Sequence, residues 1–187
     1  MNLERCRSPL ALQVQFALNL QHSGKSYYAI NQWGPFNGQR GPNWPPKVAP
    51  PVVRNATVVR AWVLASYLMS NLNASGTTLV CQQCYGFGAV NYSWWPEDGT
   101  PVGRPLALPV KCPSGIWSRE YSHALVYANP GHDHPGESAS SVTLPSSGGP
   151  WRRLLSHSGD GKGEQHWGNG ATLSLNVSEA AILVPMQ

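Results

Sequence analysis

WSREYSHALVYANP, Trp117 to Pro130, is the stretch whose reading decides the fold. Trp117, Arg119 and Tyr121 alternate with Ser118, Glu120 and Ser122, the period of two of a strand with one wet face. Ser122 and His123 interrupt the pattern. Ala124 to Ala128 is a short apolar run of strand formers, and Asn129-Pro130 closes it with a dipeptide typical of turns. The stretch reads as an antiparallel β-hairpin.

Downstream the signals stay β. A polar loop, Gly131 to Ser141, is followed by short runs at Val142 to Leu144 and Trp151 to Leu155. A Gly-rich loop from Ser158 to Gly170 then leads to Ala171 to Val177 and the aliphatic run Ala180 to Pro185. Short strands separated by turn signals predict a small antiparallel β-sandwich. Upstream the pattern changes. Leu10, Val14, Ala17 and Leu18 fall at helical spacing, Ser23-Gly24-Lys25 is a stop, and Ser26 to Trp33 reads as a strand. The segment from Pro35 to Val53 holds Pro42, Pro45, Pro46, Pro50, Pro51 and Trp44, and is expected to be a long loop. Asn55 to Asn71 is the clearest helix, with apolar residues nearly all round it, so it expects cover on more than one side. Thr77 to Cys81 is the next strand, and Tyr85 to Ser114 is irregular. Helix, strand, loop, helix, strand is an α/β order. The expected organisation is an α/β segment over residues 1–95, a linker over 96–114 and an antiparallel β-domain over 115–187.

The hairpin resembles R-x-[FY]-x-x-G-x-V-x-x-N-P, which opens the C-terminal β-domain in a group of glycoside hydrolase-like proteins with a (β/α)8 catalytic barrel. Arg119, Tyr121, Val126, Asn129 and Pro130 carry the match. Where that group has Asn-Gly this chain has His123-Ala124, without the glycine that a primed turn favours. The resemblance implies that residues 1–95 are terminal strand-helix units of a (β/α)8-type barrel, and that the chain is the last part of a longer enzyme. A whole barrel takes about 250 residues, and this chain has 187.

Composition narrows the function classes. Nineteen Gly and seventeen Pro with 12% charged residues argue for a loop-rich chain without long surface helices. The net charge of +4 is spread over single cations, Arg152-Arg153 being the only adjacent pair, so the clustered basic surface of a nucleic-acid binder is not expected. The run from Pro9 to Leu20 is too short to span a membrane and shows no cleavage site. Asn55, Asn73, Asn91 and Asn176 each begin a glycosylation sequon, which points to a secreted or extracellular protein. Cys81 and Cys84 form a C-x-x-C, but Tyr85-Gly86-Phe87-Gly88 after it is poor helix material for a redox pair. Cys6 and Cys112 are isolated, so a four-cysteine zinc site is not expected, and disulfides or inert thiols are.

Glycoside hydrolysis ordinarily needs two carboxylates flanking the bond. No Asp or Glu occurs between Glu4 and Glu97. Glu97-Asp98 lies in a turn sequence, where neighbouring side chains diverge. No catalytic residue is therefore assigned. His132-Asp133-His134 reads as a solvated turn, and no metal or cofactor is expected. Aromatics are the other means of holding sugar, and Trp33, Trp44, Trp94 and Trp95 fall at strand ends or in loops. With Asn31 and Gln32 as hydrogen-bonding groups at the same rim, they are the candidate carbohydrate-binding residues. The sequence thus supports a non-catalytic, sugar-contacting part of a glycosidase-like protein, or alternatively a self-contained secreted carbohydrate-binding β-module.

Overall fold

The structure, a computed structural model, describes residues 9–23, 28–31, 56–71, 79–82, 99–130, 139–154, 165–177 and 179–186. Helix α1 is Pro9–His22, strand β1 is Tyr28–Asn31, helix α2 is Ala56–Ser70 and strand β2 is Leu79–Gln82. Then come β3 (Val110–Lys111), β4 (Trp117–Tyr121), β5 (Ala124–Asn129), β6 (Ser140–Thr143), β7 (Trp151–Arg153), β8 (His166–Trp167), β9 (Thr172–Leu175) and β10 (Glu179–Pro185). Pro9 takes the first helical position of α1, where a missing N–H leaves no bond unmade.

β1 and β2 pair in parallel, Tyr28 opposite Leu79 and Asn31 opposite Gln82, with α2 lying between them in the chain. All the other strands are antiparallel. Six form one sheet in the order β3-β4-β5-β10-β7-β8, and β6 and β9 form a second, two-stranded sheet. The fold is therefore mixed, with two helices and mainly antiparallel sheet among the described residues, and the described strands close no barrel.

The central strands β5 and β10 of the six-stranded sheet are buried on both faces. Ala124, Val126 and Ala128 of β5 and Ala180, Ile182 and Val184 of β10 face the helices, meeting Val14 and Leu18 of α1 and Leu64, Ala65, Leu68 and Met69 of α2. The alternate residues Leu125, Tyr127, Ala181 and Leu183 meet Leu173 and Leu175 of β9, Trp151 of β7, Ile116 and Leu144. That two-sided burial is why Ala124 to Ala128 and Ala180 to Val184 read as continuous apolar runs and not as alternating ones. Three alanines, Ala124, Ala128 and Ala180, line the helix-facing side and leave room for α2. The expectation that α2 needs cover on several sides is met by α1, by the sheet and by β2. One core thus joins the helices to the β-strands.

The hairpin forms as read, with Tyr121 paired to Ala124 across the two residues Ser122 and His123. The turn holds without glycine because another segment braces it. Ser122 N–H donates to Arg104 O at 2.9 Å and His123 N–H to Val102 O at 3.0 Å, while Arg104 N–H donates to Ser122 Oγ at 3.2 Å. The glycine the turn lacks is found in the brace: Gly103 has φ +82°, and a Cβ there would collide with Ser122 Oγ. Two stretches expected to be irregular contribute strands. Val110 and Lys111, within the expected linker, pair with Ser118 and Trp117, and Pro105 bridges Tyr121. His166 and Trp167, within the expected Gly-rich loop, pair with Arg152 and Trp151. Both strands are two residues long, and their backbone bonds come from a neighbour already in place, so local pattern carries little trace of them.

Candidate functional site

Of the residues assigned to a carbohydrate rim, Asn31 is the last residue of β1 and stands opposite Gln82, the last of β2, so both parallel strands end at one level. Gln32, Trp33, Trp44, Trp94 and Trp95 lie outside the described residues, as do Glu97, Asp98 and His132-Asp133-His134. The four described tryptophans all serve packing. Trp151 is buried, Trp167 packs beside it, and Trp62 and Trp117 pack against the helix-side core. Trp151 and Trp167 also stand opposite each other across β7 and β8.

The most heavily connected polar site among the described residues is the C-terminal end of α2. Its last turn has no basic residue, so its unpaired carbonyls and the negative end of the helix dipole need partners from elsewhere. They come from three places. Tyr67 O accepts the N–H of Asn71 at 3.0 Å and Ser70 Oγ at 3.0 Å. Leu68 O accepts Arg119 Nη1 at 2.7 Å and Tyr121 OH at 2.7 Å, and Met69 O accepts the same Nη1 at 3.0 Å. Ser70 O accepts Gln21 Nε2 from α1 at 2.6 Å. All four terminal carbonyls of the helix are satisfied, two of them by the hairpin.

Arg119 is 3% exposed. Its Nε donates to Ala107 O at 3.0 Å, and its guanidinium carbon lies 5.4 Å from the centre of the Tyr121 ring. Every hydrogen bond described for this buried cation goes to a main-chain carbonyl, so the helix end supplies the negative potential that a carboxylate would otherwise provide. Burial pushes the Arg119 guanidinium below its ordinary range, opposed by Tyr121. Burial pushes the Tyr121 phenol up to about 12, with Arg119 opposing and Tyr67 adding to the shift. A guanidinium this enclosed cannot meet a substrate; its work is to dock the hairpin on the helix. In the sequence alone Arg119 stands in the hairpin motif without a visible role. The signal was there in Trp117-x-Arg119-x-Tyr121, which puts the arginine between two aromatics on the face that turns inward.

A second polar cluster closes the other end of the sheet. Arg153 donates through Nη1 to Gln165 Oε1 at 3.0 Å, and through Nη2 to Ala180 O at 2.6 Å and to Glu179 Oε1 at 3.0 Å. Glu179 Oε2 accepts the backbone N–H of Asn176 at 2.9 Å and its Nδ2 at 3.0 Å. The Arg153 and Glu179 side chains are 12% and 16% exposed, so this pair is shielded more than an ordinary surface ion pair. It pins the turn from β9 to β10 onto β7.

Cys112 is a free, half-buried thiol whose Sγ lies 3.4 Å from Ser118 Oγ; Cys81 is in β2, and Cys6 and Cys84 lie outside the described residues. Among the described residues no group of three or more His, Cys, Asp or Glu is placed to hold a metal ion, and no helix is long and apolar enough to cross a membrane. Fold and site together define a mixed α/β protein in which an antiparallel sheet caps the end of a helix. Compared with known protein families, with curated proteins and with solved structures, the chain matches none.

Proposed function

We propose that the chain is the C-terminal portion of a glycoside hydrolase-like protein, without catalytic activity of its own and retaining carbohydrate contacts at the rim where β1 ends. The observation that carries this reading is the parallel pairing of β1 and β2 around α2, followed by an antiparallel sheet docked on that helix. Strand, helix and parallel strand is the repeating step of an α/β barrel, and parallel strands ordinarily belong to larger covered sheets. The docking runs through Arg119 and Tyr121, two of the residues that carry the resemblance. The lack of any Asp or Glu from residue 5 to residue 96 leaves the helix-containing part without a proton donor or nucleophile. Sugar contact needs less: a flat ring such as Trp33, Trp44, Trp94 or Trp95, and an amide such as Asn31 or Gln32.

One observation favours the second reading, a self-contained secreted carbohydrate-binding module. Val63, Leu64, Ala65, Leu68 and Met69 of α2 are buried within this chain, as an autonomous module would require. The two readings share the rim and the lack of catalysis.

Titration of intrinsic tryptophan fluorescence with a panel of soluble oligosaccharides tests the rim, beside assays on chromogenic glycosides. The expected result is a saturable shift lost in Trp33→Ala, Trp94→Ala or Trp95→Ala, with no hydrolysis. Hydrolysis that survives Glu97→Gln with Asp98→Asn would show the chemistry to lie elsewhere, and the absence of any shift across the panel removes the sugar contact.

A further inference from the structure

The turn between β9 and β10 carries Asn176-Val177-Ser178, an acceptor triplet for N-linked glycans. Of the four asparagines that begin such triplets, Asn176 is the one among the described residues. It is exposed, and Val177 beside it is 37% exposed. The turn is closed by Glu179 N–H donating to Asn176 O at 3.0 Å. It is braced by the Glu179 carboxylate, which takes the Asn176 backbone N–H and Nδ2 on one oxygen and Arg153 on the other. The asparagine is therefore held in one place at the surface and lies outside both apolar cores.

We propose that Asn176 is a glycosylation site. In the transfer, Nδ2 attacks the anomeric carbon of a lipid-diphosphate-linked oligosaccharide. The N–C bond forms, the C–O bond to the diphosphate breaks, the diphosphate leaves with the electron pair, and one amide proton passes to a base of the transferase. The bonds from the Asn176 backbone N–H and from Arg153 to the Glu179 carboxylate do not involve Nδ2, so they outlast the loss of an amide proton. The folded turn thus accommodates the modification without losing its brace, and the first sugar residues lie next to Val177.

The proposal rests on the secretory reading of the sequons, and the test keeps the two apart. The full chain is expressed in a eukaryotic host with an added, cleavable secretion signal, so that entry to the pathway does not depend on its own N-terminus, and signal removal reports that entry. The purified protein is treated with a peptide N-glycanase in heavy-oxygen water, and the peptide containing residue 176 is read by mass spectrometry. The expected result is heavy-labelled Asp at position 176, lost in Ser178→Ala and increased in Ser178→Thr. Both variants leave Asn176 and Glu179 in place, so the turn is not the variable. A processed chain with Asn176 unlabelled, whether or not Asn55, Asn73 or Asn91 carries a glycan, overturns the proposal. A labelled Asn176 in that protein, with no glycan at Asn176 in the protein isolated from its own cells, supports the site and rejects only the secretory reading.

Discussion

Replacing Arg119 with Met tests whether the hairpin holds the helix by hydrogen bonds or merely by contact. Met keeps an unbranched apolar stem in the same space and removes three bonds, from Nη1 to Leu68 O and Met69 O and from Nε to Ala107 O. Leu68 O retains Tyr121 OH, and Ala107 is exposed and its carbonyl can turn to water, so one buried carbonyl is stranded, Met69 O. Stranding a buried acceptor costs about 1 to 3 kcal/mol. Losing a cation at a helix C-terminus adds about 0.3 to 2 kcal/mol. Against this, the variant no longer desolvates a charge, a return of several kcal/mol. Because no carboxylate is left behind uncompensated, the loss stays below the roughly 3 to 5 kcal/mol seen when half of a buried ion pair is removed. The net expectation is about 1 kcal/mol, or a fall in Tm of about 2 to 4 °C at this chain length. Urea unfolding followed by circular dichroism measures it, together with Tyr121→Phe and the double variant. Tyr121→Phe alone should cost about 1 kcal/mol, since Leu68 O keeps Arg119. The double variant strips Leu68 O of both donors and should exceed the sum of the singles by about 0.5 kcal/mol or more. An Arg119→Met protein as stable as the parent, or an additive cycle, would refute the capping argument.

Alkaline pH should destabilise the fold through its buried phenols. Burial pushes Tyr121 and Tyr127 each up to about 12, so the fold prefers them neutral. Their contribution is complete below the ordinary tyrosine value of about 10 and is lost as pH rises through about 12; unfolding midpoints between pH 9 and pH 12 check it, and Tyr127→Phe should flatten the decline. Gly103→Ala should cost at least about 1 to 2 kcal/mol from positive φ alone, and amide exchange at Ser122 and His123 should speed up as the brace is displaced. Ala128→Leu, on the crowded side facing α2, should cost about 1 to 3 kcal/mol by overpacking, while Leu106→Gln, at a site 52% exposed, should leave the melting temperature within about 1 °C.

Much of this architecture was legible in the chain because its elements announce themselves locally. Alternation of Trp117, Arg119 and Tyr121 marks β4, an apolar run ending at Asn129-Pro130 marks β5, and a fifteen-residue stretch greasy on every side marks α2. What escaped were features fixed by distant partners. β3 and β8 exist because β4 and β7 offer them an edge, and neither carries a periodic pattern two residues long. The turn at Ser122-His123 lacked its glycine locally, and only the three-dimensional arrangement shows Gly103 supplying that freedom from nineteen residues upstream of Ser122. The inward face of β4 was visible as a stripe, but not that a helix end would lie against it. Of the residues assigned to a carbohydrate rim only Asn31 falls among the described residues, as the last residue of β1.

The donors that finish α2 have a consequence for the order of biosynthesis. Arg119 and Tyr121 lie 51 and 53 residues beyond the Leu68 carbonyl they satisfy. A fifteen-residue helix is marginal by itself in water, and this one leaves the ribosome well before its closing groups are synthesised. Vectorial folding therefore cannot complete the first half of the molecule ahead of the second. Ribosome-bound chains arrested before Trp117 should hold α2 frayed at Leu68 to Ser70 and open to proteases, and resistance should rise in one step once the hairpin and then β10 emerge from the exit tunnel.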